Sequence, residues 1–209
     1  MNLNAVIEYG AVISAAIYGV LLAHRKGLDF VGVFAVAFVV SFGGGTLRDL
    51  FLDRTPLFWV ANQHFAILVF TLALAGTLFP RLAERLESWL AVPDALGLGL
   101  FTVMGTRYAM EADTPLFIAA ILGVVTGAFG GVLGDVICNE IPRLFRPAPL
   151  YATCSFSGAW VYILTHRFLA LPEDLCSLSA VITTVAFRLV AVKWAIQLPA
   201  TGEPPKKGR

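Results

Sequence analysis

The motif GGTLRDLFLDRTP at residues 44–56 returns 86 residues later as GGVLGDVICNEIP at 130–142. Gly44 and Gly130, Gly45 and Gly131, Leu47 and Leu133, Asp49 and Asp135, and Pro56 and Pro142 are identical pairs. The same offset pairs Gly19 with Gly105 and Arg81 with Arg167, and pairs Glu8 with Asp94 in charge. Each copy lies in the second of three consecutive apolar stretches. Three is odd, so if these stretches cross a membrane the second unit enters it from the other side. The chain is expected to hold an inverted repeat with a pseudo-twofold axis in the membrane plane. That arrangement recurs in transport proteins, whose sites lie at the repeat interface.

Composition supports the membrane. The 209 residues are 58% hydrophobic and 14% charged, with a mean hydropathy of +0.79, whereas soluble domains carry about 25% charged residues. This excludes a soluble globular enzyme, a disordered protein and a nucleic-acid binder. A span takes about 20 apolar residues, and apolar stretches fall at about 4–23, 30–54, 64–80, 92–110, 115–139, 150–168 and 175–195. The expected fold is all-α: a polytopic membrane protein of seven transmembrane helices, arranged as two inverted three-helix repeats plus a seventh helix. A single transmembrane domain would cover 1–199, with repeat one at about 4–90, repeat two at about 91–172 and the extra helix at about 175–195. The Pro-rich, basic end, 200–209, reads as a disordered cytoplasmic tail in reach of anionic lipid. The charged, amphipathic segment 81–90 (RLAERLESWL) is placed in a loop at the membrane surface. No Lys or Arg precedes Arg25, so the first stretch lacks the basic start of a cleavable signal and is read as a retained helix. The three cysteines, Cys138, Cys154 and Cys176, make neither a disulfide framework nor a metal site.

The positive-inside rule sets an orientation. One side holds ten basic residues: Arg25, Lys26, Arg81, Arg85, Arg143, Arg146, Lys193, Lys206, Lys207 and Arg209. The other holds three: Arg54, Arg107 and Arg167. The N-terminus is expected outside and the C-terminus in the cytoplasm. Trp59, Trp89 and Trp194 fall near span ends, as an aromatic belt requires, and Trp160 falls near mid-span.

Taken four residues apart, span two reads Ala37, Ser41, Gly45, Asp49, Asp53, and span five reads Gly123, Gly127, Gly131, Asp135, Asn139. Such positions lie nearly above one another on a helix, so each span has a small-residue stripe ending in acid. Small stripes serve close packing, but Gly43-Gly44-Gly45 and Gly130-Gly131 are consecutive. Successive glycines weaken a helix by about 1 kcal/mol each relative to Ala and are a cause of kinks. Carbonyls freed at a break can line a wet cavity. Intramembrane acids cost about 2.5–3.5 kcal/mol and face a bundle interior or water. Asp49 and Asp135, at opposite ends of one path, would favour cations over anions. The bland alternative pairs Arg48 with a nearby acid at headgroup level.

At this motif the chain resembles the prokaryotic trimeric intracellular cation (TRIC) channel family, whose domain is also labelled a glycine transporter. The resemblance covers about residues 5–195 and rests on GGGTLRDLFLDRTPLFWV (43–60), GGVLGDVICNEIPRLFR (130–146) and LYATCSFSGAW (150–160). It implies a homotrimer in a cell membrane, with an ion path inside each protomer shaped by glycine-kinked helices two and five. It implies a monovalent cation channel, chiefly for potassium, with sodium also admissible. Carried onto this sequence, the kinks are Gly43, Gly44, Gly45, Gly130 and Gly131, and the path residues Ser41, Thr46, Asp49, Thr126 and Asp135. The family pattern has Arg-Asp in both repeats, but Arg48-Asp49 is matched here by Gly134-Asp135. Arg188 in the last span is the nearest candidate for a gating charge, or else pairs with a buried acid such as Glu8 or Asp135.

No cofactor, metal or nucleic acid is expected. His24, His64 and His166 sit at span ends and form no ligand cluster. Glu8 reads as a solvated helix start, and the five tyrosines as packing or belt residues. No HExxH, GxSxG or GK[ST] occurs, so an enzyme is not expected. A secondary transporter for a small solute such as glycine remains the alternative, because alternating access suits the same architecture.

Overall fold

The computed structural model describes residues 3–199, so the expected tail at 200–209 lies outside the described residues. In chain order the helices are α1 (Leu3–His24), α2 (Phe30–Phe51), α3 (Phe58–Ala61), α4 (Gln63–Leu78), α5 (Pro80–Glu87), α6 (Ala91–Glu111), α7 (Leu116–Ile137), α8 (Ala152–Arg167) and α9 (Glu173–Lys193), with a 3₁₀ turn at Arg143–Phe145. The described residues form no strand. The seven long helices fall where the seven apolar stretches predict them, but the amphipathic segment expected as a loop begins as a helix, α5, whose apolar residues fall on one face. α1, α2, α7 and α9 are each long and apolar enough to cross a membrane. α4 and α5 meet that criterion jointly, bent by 99° at Phe79. α8 has 16 residues, and α6 carries Asp94, Arg107 and Glu111. Both fall short of the criterion taken alone, and α6 places Asp94 and Arg107 inside the protein.

The repeat is visible residue by residue. α2 and α7 have 22 residues each and start and stop at the 86-residue offset. Both end in the same way. Asp53 and Asn139 take positive φ (51° and 56°), and the next amides, Arg54 and Glu140, each donate to the carbonyl of the repeated aspartate at 2.8 Å. This is a Schellman ending, in which Asp or Asn tolerates the left-handed turn. It stops the helices at Phe51 and Ile137, earlier than the stretches to 54 and 139 suggested. After it the offset changes. α4 and α8 have 16 residues each but lie 89 residues apart. The second connection is longer by three residues, so Arg81 lies on α5 while Arg167 ends α8. The Arg81/Arg167 match is therefore not a structural equivalence.

α2 packs on α7, α1 and α4, and α6 packs on α7, α1, α9 and α8. At the α2/α7 crossing a methyl group on Gly44 would stand 2.2 Å from the Thr126 carbonyl oxygen, and one on Gly130 would stand 2.2 Å from the Val40 carbonyl oxygen. Thr126 and Val40 are themselves 86 residues apart, so one contact is made twice about the pseudo-twofold axis. The expected helix breaks are absent: α2 and α7 run uninterrupted through their glycines. The small stripes also divide their contacts. Gly123 and Gly127 pack on α6, Gly19 of α1 meets Ala37, Gly45 takes the Phe58 ring and Gly131 faces the Tyr151 hydroxyl. The helix–helix seam belongs to Gly44 and Gly130, one position before Gly45 and Gly131.

Candidate ion path

The seam runs between two buried clusters, one at each end of the bundle. At the first, Arg48 and Asp49 are sealed inside the protein, 0% and 1% exposed. Arg48 Nε and Nη2 donate to Asp49 Oδ1 at 2.9 and 2.7 Å, and the Phe58 amide donates to Oδ2 at 2.9 Å. An acid in the last turn of a helix opposes the helix dipole. Here the neighbouring guanidinium and the α3 amide offset that. The Arg48 guanidinium lies over the Tyr108 ring at 4.5 Å and the Phe58 ring at 5.3 Å, which makes a cation–π cover. Its Nη1 is buried without a hydrogen-bond partner. Tyr108 donates to Glu8 at 3.1 Å, so Glu8 joins this cluster rather than standing as a free helix start. Arg107 pairs with Glu111 and Glu173, both at 3.3 Å. Trp59 packs on Phe38 and Phe42 and donates to Thr46 Oγ1 at 3.1 Å. It is a packing residue rather than a belt residue, whereas Trp89 and Trp194 are exposed.

At the other end, the Arg143 amide donates to Asp135 Oδ2 at 3.2 Å, as the Phe58 amide does to Asp49. The loop after each motif thus returns a backbone donor to the motif's aspartate. Beyond this, the two ends differ. No arginine precedes Asp135. A methyl group on Gly134 would already stand 2.5 Å from a Val40 methyl. Cationic charge arrives from elsewhere, and it centres on Asp94. Arg188 Nη2 lies 3.1 Å from Asp94, Arg143 Nη1 lies 3.7 Å from it, and the Tyr151 hydroxyl donates to it at 3.3 Å. Arg188 Nη1 also donates to the Pro149 and Leu150 carbonyls at 2.9 and 2.8 Å, tying the loop before α8 to α9. Arg143 donates to the Tyr18 hydroxyl. Cavities of about 20 and 10 Å³ lie among Tyr18, Asp94, Gly131, Asp135 and Tyr151, with room for about one water.

Among the sequence-derived path residues, Asp49 and Asp135 end the seam and do not meet. Thr46 is bonded to Trp59 beside Asp49. The Thr126 hydroxyl bonds the Leu122 carbonyl at 2.6 Å, and its oxygen lies where a Gly105 side chain would begin, so it faces α6. Ser41 Oγ is buried with no hydrogen-bond partner. Arg188 does pair with an acid, but with Asp94 rather than Glu8 or Asp135. Asp94, Arg143, Tyr18, Tyr108 and Tyr151 escaped the sequence reading. The Glu8/Asp94 charge match was the available signal, since it placed an acid at both starts.

A family model described as a glycine transporter matches residues 5–81 and again 91–167. The UPF0126 inner membrane protein YadS of Escherichia coli K12 is 35% identical over 185 residues, 88% of this chain and 89% of its own. The chain belongs to this family. A UPF0126 membrane protein of Vibrio cholerae is 36% identical, over 88% of this chain and 77% of its own. The solved structure of a TRIC cation channel superposes with a TM-score of 0.88 at 29% identity, over 96% of this chain and 98% of the other. The TRIC orthologue from Rhodobacter sphaeroides gives 0.87 at 28%, over 94% and 100%. The resemblance drawn from the doubled motif holds, and the fold is that of the polytopic helical TRIC proteins. These structural neighbours are channels, not enzymes.

Proposed function

We propose that this family member is a cation channel of the cell inner membrane, permeable to potassium and to other monovalent cations such as sodium. The path follows the α2/α7 seam inside each protomer, and three protomers associate. One observation carries the reading: twofold-related Asp49 and Asp135 end a seam pinched by glycine against carbonyl. Its support is the likeness to TRIC cation channels over almost the whole chain. Acids at both ends of the path, once released from their partners, favour cations and repel anions.

In this conformation the seam is in contact at Gly44 and Gly130, so conduction needs the two helices to part. Gly43, Gly44, Gly45, Gly130 and Gly131 are the positions where bending costs least. Parting there would turn the Val40 and Thr126 carbonyls, and the Ser41, Thr46 and Thr126 hydroxyls, toward the ion. Arg48 would act as the counter-charge that holds Asp49, and Arg188 as the one that holds Asp94, until a cation replaces them. The basic side, with Lys26 and Arg143, faces the cytoplasm. The resident species is the permeant ion, and no cofactor is invoked.

The glycine-transporter description of the family sustains a second reading, alternating access for a small solute. The likeness to TRIC cation channels over almost the whole chain favours the first reading. Planar-bilayer recording under a potassium gradient separates the two. The channel gives unitary currents reversing near the potassium equilibrium potential, and Asp49→Asn and Asp135→Asn shrink them or flatten their selectivity. Silence from intact, inserted protein, with saturable glycine uptake into vesicles, selects the transporter.

A further inference from the structure

The elbow between α4 and α5 is not used by the ion path. α5 leaves α4 at 99°, so with α4 across the bilayer α5 lies along its surface. At about 100° per residue, Leu82, Ala83 and Leu86 share one face of α5, Arg85 borders it beside Leu82, and Arg81 and then Glu84 follow further round the polar side. Between that apolar face, α1 and α4 is a cleft of about 230 Å³, lined by Ile17, Val20, Leu21, Leu72, Ala75 and Leu82 among others. Phe79 and Leu82 also line a second hollow, of about 470 Å³, which has Arg81 and Arg85 on its rim. The two hollows share a wall at Phe79 and Leu82, and the two guanidinium groups belong to the hollow beyond it. Both arginines are exposed, and neither has an ion-pair partner among the described residues.

We propose that this elbow binds one anionic phospholipid of the adjoining leaflet. An acyl chain fills the cleft and the headgroup phosphate lies between Arg81 and Arg85. Each half of the site matches one half of that molecule. The cleft offers no charged side chain to a polar occupant, and the paired cations favour net negative charge over a zwitterion. A second copy of the chain would have to bury both arginines.

The full-length protein, equilibrated in vesicles of equal phosphatidylglycerol and phosphatidylcholine and released for native mass spectrometry, should retain one phosphatidylglycerol per protomer in preference to phosphatidylcholine. Arg81→Gln and Arg85→Gln should each lower that preference about five-fold, with thermal melting unchanged because both sites are exposed. Ala75→Phe, which fills the cleft, should lower retention of both lipids. Equal retention of the two lipids, or a preference untouched by both glutamine changes, overturns the proposal. So does a Leu86→Cys variant that cross-links copies of the chain in the vesicle, since a second copy then covers the elbow.

Discussion

Gly44 and Gly130 occupy equivalent positions and meet equivalent carbonyls, so they should respond alike to substitution. Either one changed to Ala places a methyl group 2.2 Å from backbone that cannot turn aside. Overpacking of this kind costs about 1–3 kcal/mol, more than the gain of about 1 kcal/mol in helix propensity. Both variants should lower the melting midpoint in detergent by similar amounts. Gly131→Ala, which meets the Tyr151 hydroxyl at 3.2 Å, should lower it less. Asp94 is the other residue on which much turns. Its carboxylate is the acid shared by Arg188 and Arg143, and Asp94 and Arg188 side chains are 3% and 4% exposed. Removing one partner of a buried pair costs about 3–5 kcal/mol. Asp94→Asn should therefore destabilise the protein by about that much in denaturant unfolding, and Arg188→Met with Asp94→Asn should recover part of the loss.

The elements that matter most are the helix ends and the loops they release. Each motif helix stops in a left-handed turn, and the loop that follows brings an amide back to its aspartate. At the Asp135 end the loop is also held from outside. Lys26, after α1, donates to Glu140, after α7. That hydrogen bond, and then the lysine's charge, hold the Glu140 carboxyl below its ordinary value. A carboxyl lowered by folding contributes stability above its ordinary pKa and loses it as pH falls through the lower, folded value. The melting difference between the protein and its Glu140→Gln variant should thus be present at neutral pH and close as the solution turns acid. It should be small, because the pair is largely exposed.

For the whole molecule, the inverted repeat and the charge bias make one joint prediction about sidedness. With α1 and α7 running the same way, Lys26 and Glu140 share an end of the bundle, as their contact requires, and Glu111 lies at the other. In right-side-out vesicles an impermeant thiol reagent should label Glu111→Cys but reach Lys26→Cys only after the membrane is opened. The native cysteines are all buried and should give a low background. Labelling of Lys26→Cys from outside would reverse the proposed orientation.

The helical class, the places of the seven long helices and the 86-residue repeat were legible in the amino-acid sequence alone. These follow from hydropathy and spacing, which act locally and need no knowledge of neighbours. The sequence also singled out Asp49 and Asp135, because an acid in an apolar helix is costly wherever it sits. The tertiary structure decided what the glycines do. Consecutive glycines permit either a break or a close approach, and only the position of the second helix chooses. It also decided the partners of charge. Nothing in the spacing of Asp94, Arg143 and Arg188 says that a helix start, a loop and the unrepeated last helix meet at one carboxylate. The missing arginine at Gly134 was legible, but its replacement by cations from distant segments was not, since that depends on where the chain returns in space.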